Sequence, residues 1–250
     1  MRRIGLVLLL VLVAPIAARA ARDEGFSFDV TPYLWLASVG GDFGVPGGGS
    51  TLSVSGRGSL FDSDTSLSAG FMLKAEARYG DFGLLLDGAW ARLSTDASGR
   101  EVLFASASAD TDLGFATAAL TWRLPIDDPL LVRGFVGARI FFADIQLHFE
   151  PGVLPEADPS GDDTWADPVL GAVVRYSFTD AFYASVLGDV GGFDVSSRIT
   201  WQVYGGLGYE LADWLAASVG YRYLVDDYEN DGFLLDMSLQ GFLVGASFRF

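Results

Sequence analysis

The stretch "LAASVGYRYL", residues 215–224, repeats every second residue rather than every 3.6. Leu215, Ala217, Val219, Tyr221 and Tyr223 share one face, and Ala216, Ser218, Gly220 and Arg222 share the other. Successive side chains of an extended strand point to opposite faces, so this is a strand with one apolar face and one small-or-charged face. "VLGAVVRYSF" (169–178) reads the same way, with Leu170, Ala172, Val174, Tyr176 and Phe178 opposing Arg175 and Ser177. In "FSFDVTPYLWL" (26–36), Phe28, Val30, Leu34 and Leu36 oppose Asp29 and Thr31.

A soluble β-sandwich alternates too, but its exposed face is seldom this rich in Gly, Ala and Ser. Here glycine and isolated charges share the non-apolar faces, as the crowded lumen of a small barrel requires. Aromatics (Tyr79, Trp90, Trp122, Tyr176, Phe178, Tyr209, Trp214) gather at strand ends, where the interface girdles of a membrane barrel would lie. The alternation therefore favours an all-β, antiparallel, up-and-down transmembrane β-barrel over a sandwich.

The N-terminus supports export. Arg2 and Arg3 precede an apolar run from Ile4 to Val13 and a small-x-small site at Ala18-Arg19-Ala20. That is a secretory signal peptide over 1–20, its apolar run shorter than the ~18 residues of a spanning helix. It leaves 21–250 as the barrel domain, with no later stretch apolar and long enough for a membrane helix. The absence of cysteine excludes disulfides, thiolate metal sites, a catalytic thiol and a lipidated Cys. The formal charge of −16, or −19 once the three arginines of 1–20 are removed, excludes nucleic acid as a partner.

Connections of two kinds alternate along the chain. Tight ones fall at 78–83, 123–131, 177–183 and 210–215; longer or more polar ones at 38–66, 95–100, 148–166, 194–199 and 226–232. Short periplasmic turns and long extracellular loops alternate in this way. The count gives ten strands, near 26–38, 66–79, 82–94, 101–123, 130–147, 167–179, 181–193, 199–211, 213–225 and 233–250, with both termini periplasmic. Eight or twelve strands are the alternatives; twelve would result if "GDFGVPGGGSTLSVSG", a candidate hairpin above the membrane, entered it.

The chain ends "LVGASFRF", with Phe242, Val244, Ala246, Phe248 and Phe250 in one apolar stripe. Gly245, Phe248 and Phe250 match the C-terminal assembly signal of bacterial outer-membrane proteins, which resembles this ending; Leu243 departs from it, standing where that signal prefers a polar residue. With "PYLWL" and "GYELADWLAASVGYRYL", the chain resembles the small outer-membrane β-barrel proteins of Gram-negative bacteria, the broad OmpA/OmpW-like, porin-like group. The resemblance implies an outer-membrane location and, as partners, the barrel-assembly machinery, outer-membrane lipid and lipopolysaccharide. It implies little about activity, because such barrels serve as anchors, narrow channels, solute conduits and occasionally enzymes.

No catalytic constellation emerges. The only histidine, His148, shares an outward face with Ala138, Ile140 and Phe142, away from a lumen site. "DYENDG" (227–232) half-matches a calcium loop but carries Ser238 where the twelfth-position Glu is required. "SGDDTWAD" reads as a solvated acidic loop, and "PGGGS" as a hairpin tip without the Lys of a phosphate loop. The expectation is no enzyme, no cofactor and no metal centre, with a lipid A-modifying or other outer-membrane enzyme as the alternative. The acidic loops (Glu150, Glu156, Asp158, Asp162, Asp163, Asp226, Asp227, Glu229, Asp231) would attract divalent cations that bridge to lipid phosphates.

By alternation the lumen carries the candidate functional groups. Mid-strand stand Lys74, Arg139 and Arg222 with Glu76, Asp87 and Asp189; near the periplasmic turns stand Arg78, Arg123, Arg133, Arg175 and Arg249 with Asp29 and Glu210. Tyr33, Trp35, Phe115, Phe135, Phe141 and Tyr204 point inward too. These groups either pair and fill the interior or line a narrow small-solute channel.

Overall fold

The computed structural model describes residues 25–47, 50–59, 65–97, 104–151 and 160–250; the signal segment 1–20 and the acidic residues Glu156 and Asp158 lie outside them. The described chain forms β1 (Phe26–Gly47), β2 (Ser50–Ser59), β3 (Thr65–Tyr79), β4 (Phe82–Ala97), β5 (Phe104–Arg123) and β6 (Leu130–Pro151). It continues as β7 (Ser160–Ser177), β8 (Phe182–Gly192), β9 (Ile199–Ala212), β10 (Leu215–Asn230) and β11 (Phe233–Arg249). Each strand from β3 to β11 pairs antiparallel with the next, and β11 returns to β1, giving a closed ten-strand up-and-down barrel. Closure is what a membrane barrel needs, because an open edge would leave backbone groups unpaired in hydrocarbon.

The last residue takes part in that closure. Phe250 N–H donates to the Phe28 carbonyl at 2.8 Å, and Phe28 N–H donates to the Phe250 carbonyl at 3.2 Å. Outside, Phe248 stacks on Trp214 with ring centroids 6.3 Å apart. The aromatic ending thus completes both the seam and the girdle beside it.

Segment 38–66 contributes β2, which pairs only with the distal half of β1, from Ser38↔Ser59 to Gly47↔Ser50, and leaves the barrel count at ten. The β1–β3 ladder stops at Pro32↔Leu73. Pro32 has no N–H to continue it, and three residues later the Trp35 N–H donates to the Met72 sulfur at 3.0 Å instead of a carbonyl.

Two boundary expectations are corrected. Much of 148–166 is strand rather than loop: β6 runs to Pro151 and β7 starts at Ser160, so Gln146 still pairs with Ser160. Above the hydrocarbon the wall continues because its inward side chains still have a core to join. Likewise "DYENDG" is a strand end and a tight turn: β10 runs to Asn230, and Asp231 and Gly232 both have positive φ (46° and 87°). That is the geometry of a two-residue hairpin matched to strand twist.

The outer face is apolar. Leu84, Leu86, Leu120, Val136, Leu170, Val203 and Val244 are exposed, and Tyr79, Phe82, Tyr176, Phe178, Tyr209 and Trp214 crowd the turn end. Towards the loop end the polarity inverts. In β11, Phe233, Leu235, Met237 and Leu239 are buried inside, while Asp236, Ser238 and Gln240 take the outward parity. Outside is lipid at one height and water at the other, so the apolar face switches sides.

Candidate functional site in the barrel lumen

The inward side chains form three layers along the lumen. At the loop end, Trp165 lies stacked on Tyr228 with centroids 4.0 Å apart and on Phe141 at 5.5 Å, among buried Phe233, Leu235 and Met237. The β8–β9 connection folds into this layer. Ser197 is fully buried; its N–H donates to Asp167 at 2.9 Å and its hydroxyl to Asp226 at 3.1 Å, while Trp165 Nε1 donates to the other Asp226 oxygen at 3.1 Å. Asp226 sits beyond the outward Trp201–Tyr223 stack and one residue below the outward Asp227, which pairs with Asp236 in the ladder; it is therefore above the hydrocarbon band. Burial, with Asp167 adding to it, pushes its carboxyl up to about 7.

Below lies a polar chain that crosses the lumen. Arg139 donates to Asp189 at 2.7 Å and to Thr117 at 3.1 Å, and Gln202 donates to the same Asp189 oxygen. Arg222 donates to Gln202 at 2.7 Å and to Asp87 at 2.8 Å, and the Tyr33 hydroxyl donates to Asp87 at 2.8 Å. The side chains of Arg139 and Asp189 are 0% exposed. The Arg222 guanidinium also lies over the Phe115 ring, 4.8 Å from its centroid, and 5.1 Å from that of Trp35. The chain links β5, β6, β8, β9, β10, β4 and β1 across the lumen.

The third layer lines a cavity of about 520 Å³ that reaches the turn residues Asp128, Pro129 and Ser177. Here the charges form an alternating ring that is left open between Arg133 and Arg175. Arg133 donates to Glu76 at 2.8 Å, Glu76 accepts from Arg78 at 3.1 Å, and Arg78 pairs with Asp29. Asp29 meets Arg249 at 3.3 Å, Arg249 meets Glu210 at 3.3 Å, and Glu210 accepts from Arg175 at 2.7 Å. Arg175 lies flat over the Tyr183 ring, 3.5 Å from its centroid. Gly208 makes that possible, because a Cβ there would come within 2.1 Å of the same ring.

The candidate lumen residues thus fall into two groups by height. Arg139, Asp189, Arg222 and Asp87 meet in the middle; Asp29, Glu76, Arg78, Arg133, Arg175, Glu210 and Arg249 meet near the turns. Lys74 lines the cavity and makes no ion pair with any described residue. Arg123 stands apart, exposed at the rim beside Arg133 with no ion pair among the described residues. Neutral Thr117, Thr200 and Gln202 were absent from the charge-based reading, yet they share the inward parity and bridge the buried pairs.

At the loop end the acidic set is partly committed. Asp163 accepts from Tyr228 at 2.7 Å, and Asp227 pairs with Arg198 from the β8–β9 connection, a cation that the two acidic segments lack. His148 lies in β6, its backbone paired with Ser108.

No protein-family model matches the chain. No curated protein matches it by sequence. Among solved structures, the outer membrane protease OmpT from Escherichia coli is similar at a TM-score of 0.50 and 9% identity, over 91% of this chain and 97% of that one. Ail of Yersinia pestis, solved with the heparin analogue sucrose octasulfate, is similar at 18% identity and a TM-score of 0.38 over 91% of this chain and 100% of its own. The Pseudomonas putida toluene transporter TodX is similar at 11% identity and 0.36, over 91% and 89%. Identities this low speak for the fold and not for activity. The closed ten-strand wall and its apolar outer face, with the likeness to OmpT along most of the chain, give this protein the fold of an up-and-down membrane β-barrel.

Proposed function

We propose that this protein is a non-enzymatic, filled barrel of the Gram-negative outer membrane, exported by its signal peptide and serving as a structural, surface-exposed wall. The observation that carries the reading is the buried chain from Arg139 to Tyr33, lying under an apolar layer and spanning the lumen from wall to wall. A small aqueous pore would leave such charges hydrated; these are packed between aromatic rings. Gly245, Phe248 and Phe250 would be read by the barrel-assembly machinery. The remaining exposed loop-end carboxylates, Asp162, Glu229, Asp231 and Asp236, would meet divalent cations and lipopolysaccharide.

Purified protein in planar bilayers tests the reading. The expected result is little or no conductance, with transient openings in Arg222→Ala. A large, steady conductance in the unmutated protein makes it a narrow channel, the second reading, which the deep turn-end cavity favours. For the enzyme alternative, no group of His, Cys, Asp or Glu among the described residues is placed to hold a metal ion.

A further inference from the structure

We propose that the turn-end cavity binds a small oxyanion, a carboxylate or phosphate group, between Arg133 and Arg175 with Lys74 as a third cation. The ring of alternating charges runs from Arg133 through Glu76, Arg78, Asp29, Arg249 and Glu210 to Arg175, so both of its ends are cations. Those two ends sit on adjacent strands. Arg133 pairs with Val173 and Leu131 pairs with Arg175, which makes the two arginines diagonal neighbours on the inward face. Diagonal positions are about 7–8 Å apart, within reach of long side chains that share one ligand. No carboxylate bridges them.

Both have donors to spare. A guanidinium carries five N–H groups, and Arg133 and Arg175 each place one hydrogen bond, to Glu76 and to Glu210. Lys74 lines the same cavity with its ammonium unpaired. With Arg222 and Asp87 engaged in the buried chain above, the cavity lining holds five cations against the four carboxylates Asp29, Glu76, Asp128 and Glu210. An anion with two or three oxygens would close the ring and balance the charge. Planar forks favour carboxylate or phosphate over chloride, which cannot accept two parallel hydrogen bonds at separate atoms. Asp128, at the mouth and in no ion pair, would compete for the same cations. The cavity reaches the turn end, so the site stands whether or not the barrel conducts.

The test uses the intact refolded barrel in detergent, titrated with inorganic phosphate and, in a parallel arm, with succinate, both against sodium chloride at equal ionic strength and pH. The expected result is a saturable rise in melting temperature or calorimetric heat with phosphate or succinate and none with chloride; the arm that saturates first names the group. Arg175→Lys keeps the charge but loses the fork and should weaken binding about tenfold. The double change Arg133→Gln with Arg175→Gln should abolish it, while Arg198→Gln at the opposite end should not move it. A response equal to chloride, or one that survives in the folded double variant, overturns the proposal. If the double variant does not fold, Arg175→Lys binding as tightly as the parent overturns it as well.

Discussion

The lumen holds the same chemistry twice, at two heights. In the middle, Arg139 meets Asp189 with both side chains fully buried; at the turn end, Arg249 meets Asp29 and Glu210 while its side chain is 38% exposed. The middle pair has only neutral polar neighbours, Thr117 accepting from Arg139 and Gln202 donating to Asp189, and each loss leaves a charge with nowhere to turn. The ring at the turns borders a cavity, so water can replace a lost partner. Burial, and not the identity of the pair, sets what each layer contributes: in the proposed reading the middle layer closes the barrel, and the turn-end layer is the one that could exchange partners.

That contrast is broken most sharply by Arg139→Ala. It would leave Asp189 buried beside Gln202 alone, and removing one member of a buried pair costs about 3–5 kcal/mol. The midpoint of urea unfolding should fall accordingly, with little dependence on salt. Replacing both members, Arg139→Met with Asp189→Leu, should restore most of the loss, because the desolvation cost leaves with the charges. A loss well under 1 kcal/mol in the single variant would mean that the middle layer is wet, and the filled-lumen reading would fall with it.

The two layers also differ in how far alternation could find them. Face was legible: period-two patterning puts Arg139, Arg222 and Asp87 inward, and the turns at 78–83 and 210–215 divide the chain into the strands observed. Height was not, because parity says nothing of strand tilt or stagger, and those decide that Arg222 meets Asp87 rather than Asp189. The apolar loop-end layer escaped for a different reason. Charges and six rings were expected in the lumen, but the inward apolar run of the last strand was not: apolar residues take odd positions from Phe233 to Leu243 and even ones from Phe242 to Phe250. The switch near Gly241 marks where the outside changes from water to lipid, and it can be read from the sequence once that is known.

A smaller effect sharpens the contrast at the loop end, where the carboxyls of Asp167 and Asp226 are buried without a cation. Asp226 titrates near 7 in the folded state, above the ordinary carboxyl value, so its charged form is the disfavoured one. A raised carboxyl pKa stabilises the fold at low pH, and that contribution is lost as pH rises through the folded value. Between pH 5 and 8 the unmutated barrel should therefore lose stability, on the order of 1–2 kcal/mol. Asp226→Asn should flatten that slope. Because the amide supplies only one acceptor for Ser197 and Trp165, the slope and not the absolute midpoint is the readout. Parallel pH profiles for the two proteins would show that Asp226 is charged and satisfied throughout.

The smallest effect is expected from Arg249→Ala, and it is the most informative about the ring. Arg249 touches Asp29 and Glu210 at 3.3 Å each, but Arg78 also holds Asp29 and Arg175 also holds Glu210. Neither carboxylate is stranded when Arg249 goes. Partly exposed pairs are worth roughly 0.2–1 kcal/mol, and water can reach the vacated position. The loss should therefore stay below about 1 kcal/mol and shrink further at 0.5 M salt, where the Debye length falls to a few ångströms. Arg139→Ala should show no such salt dependence. Equal, salt-insensitive losses in the two variants would mean that the turn-end ring is as dry as the middle layer. The cavity charges would then be fixed partners of one another, and an incoming anion would have to break pairs it could not replace.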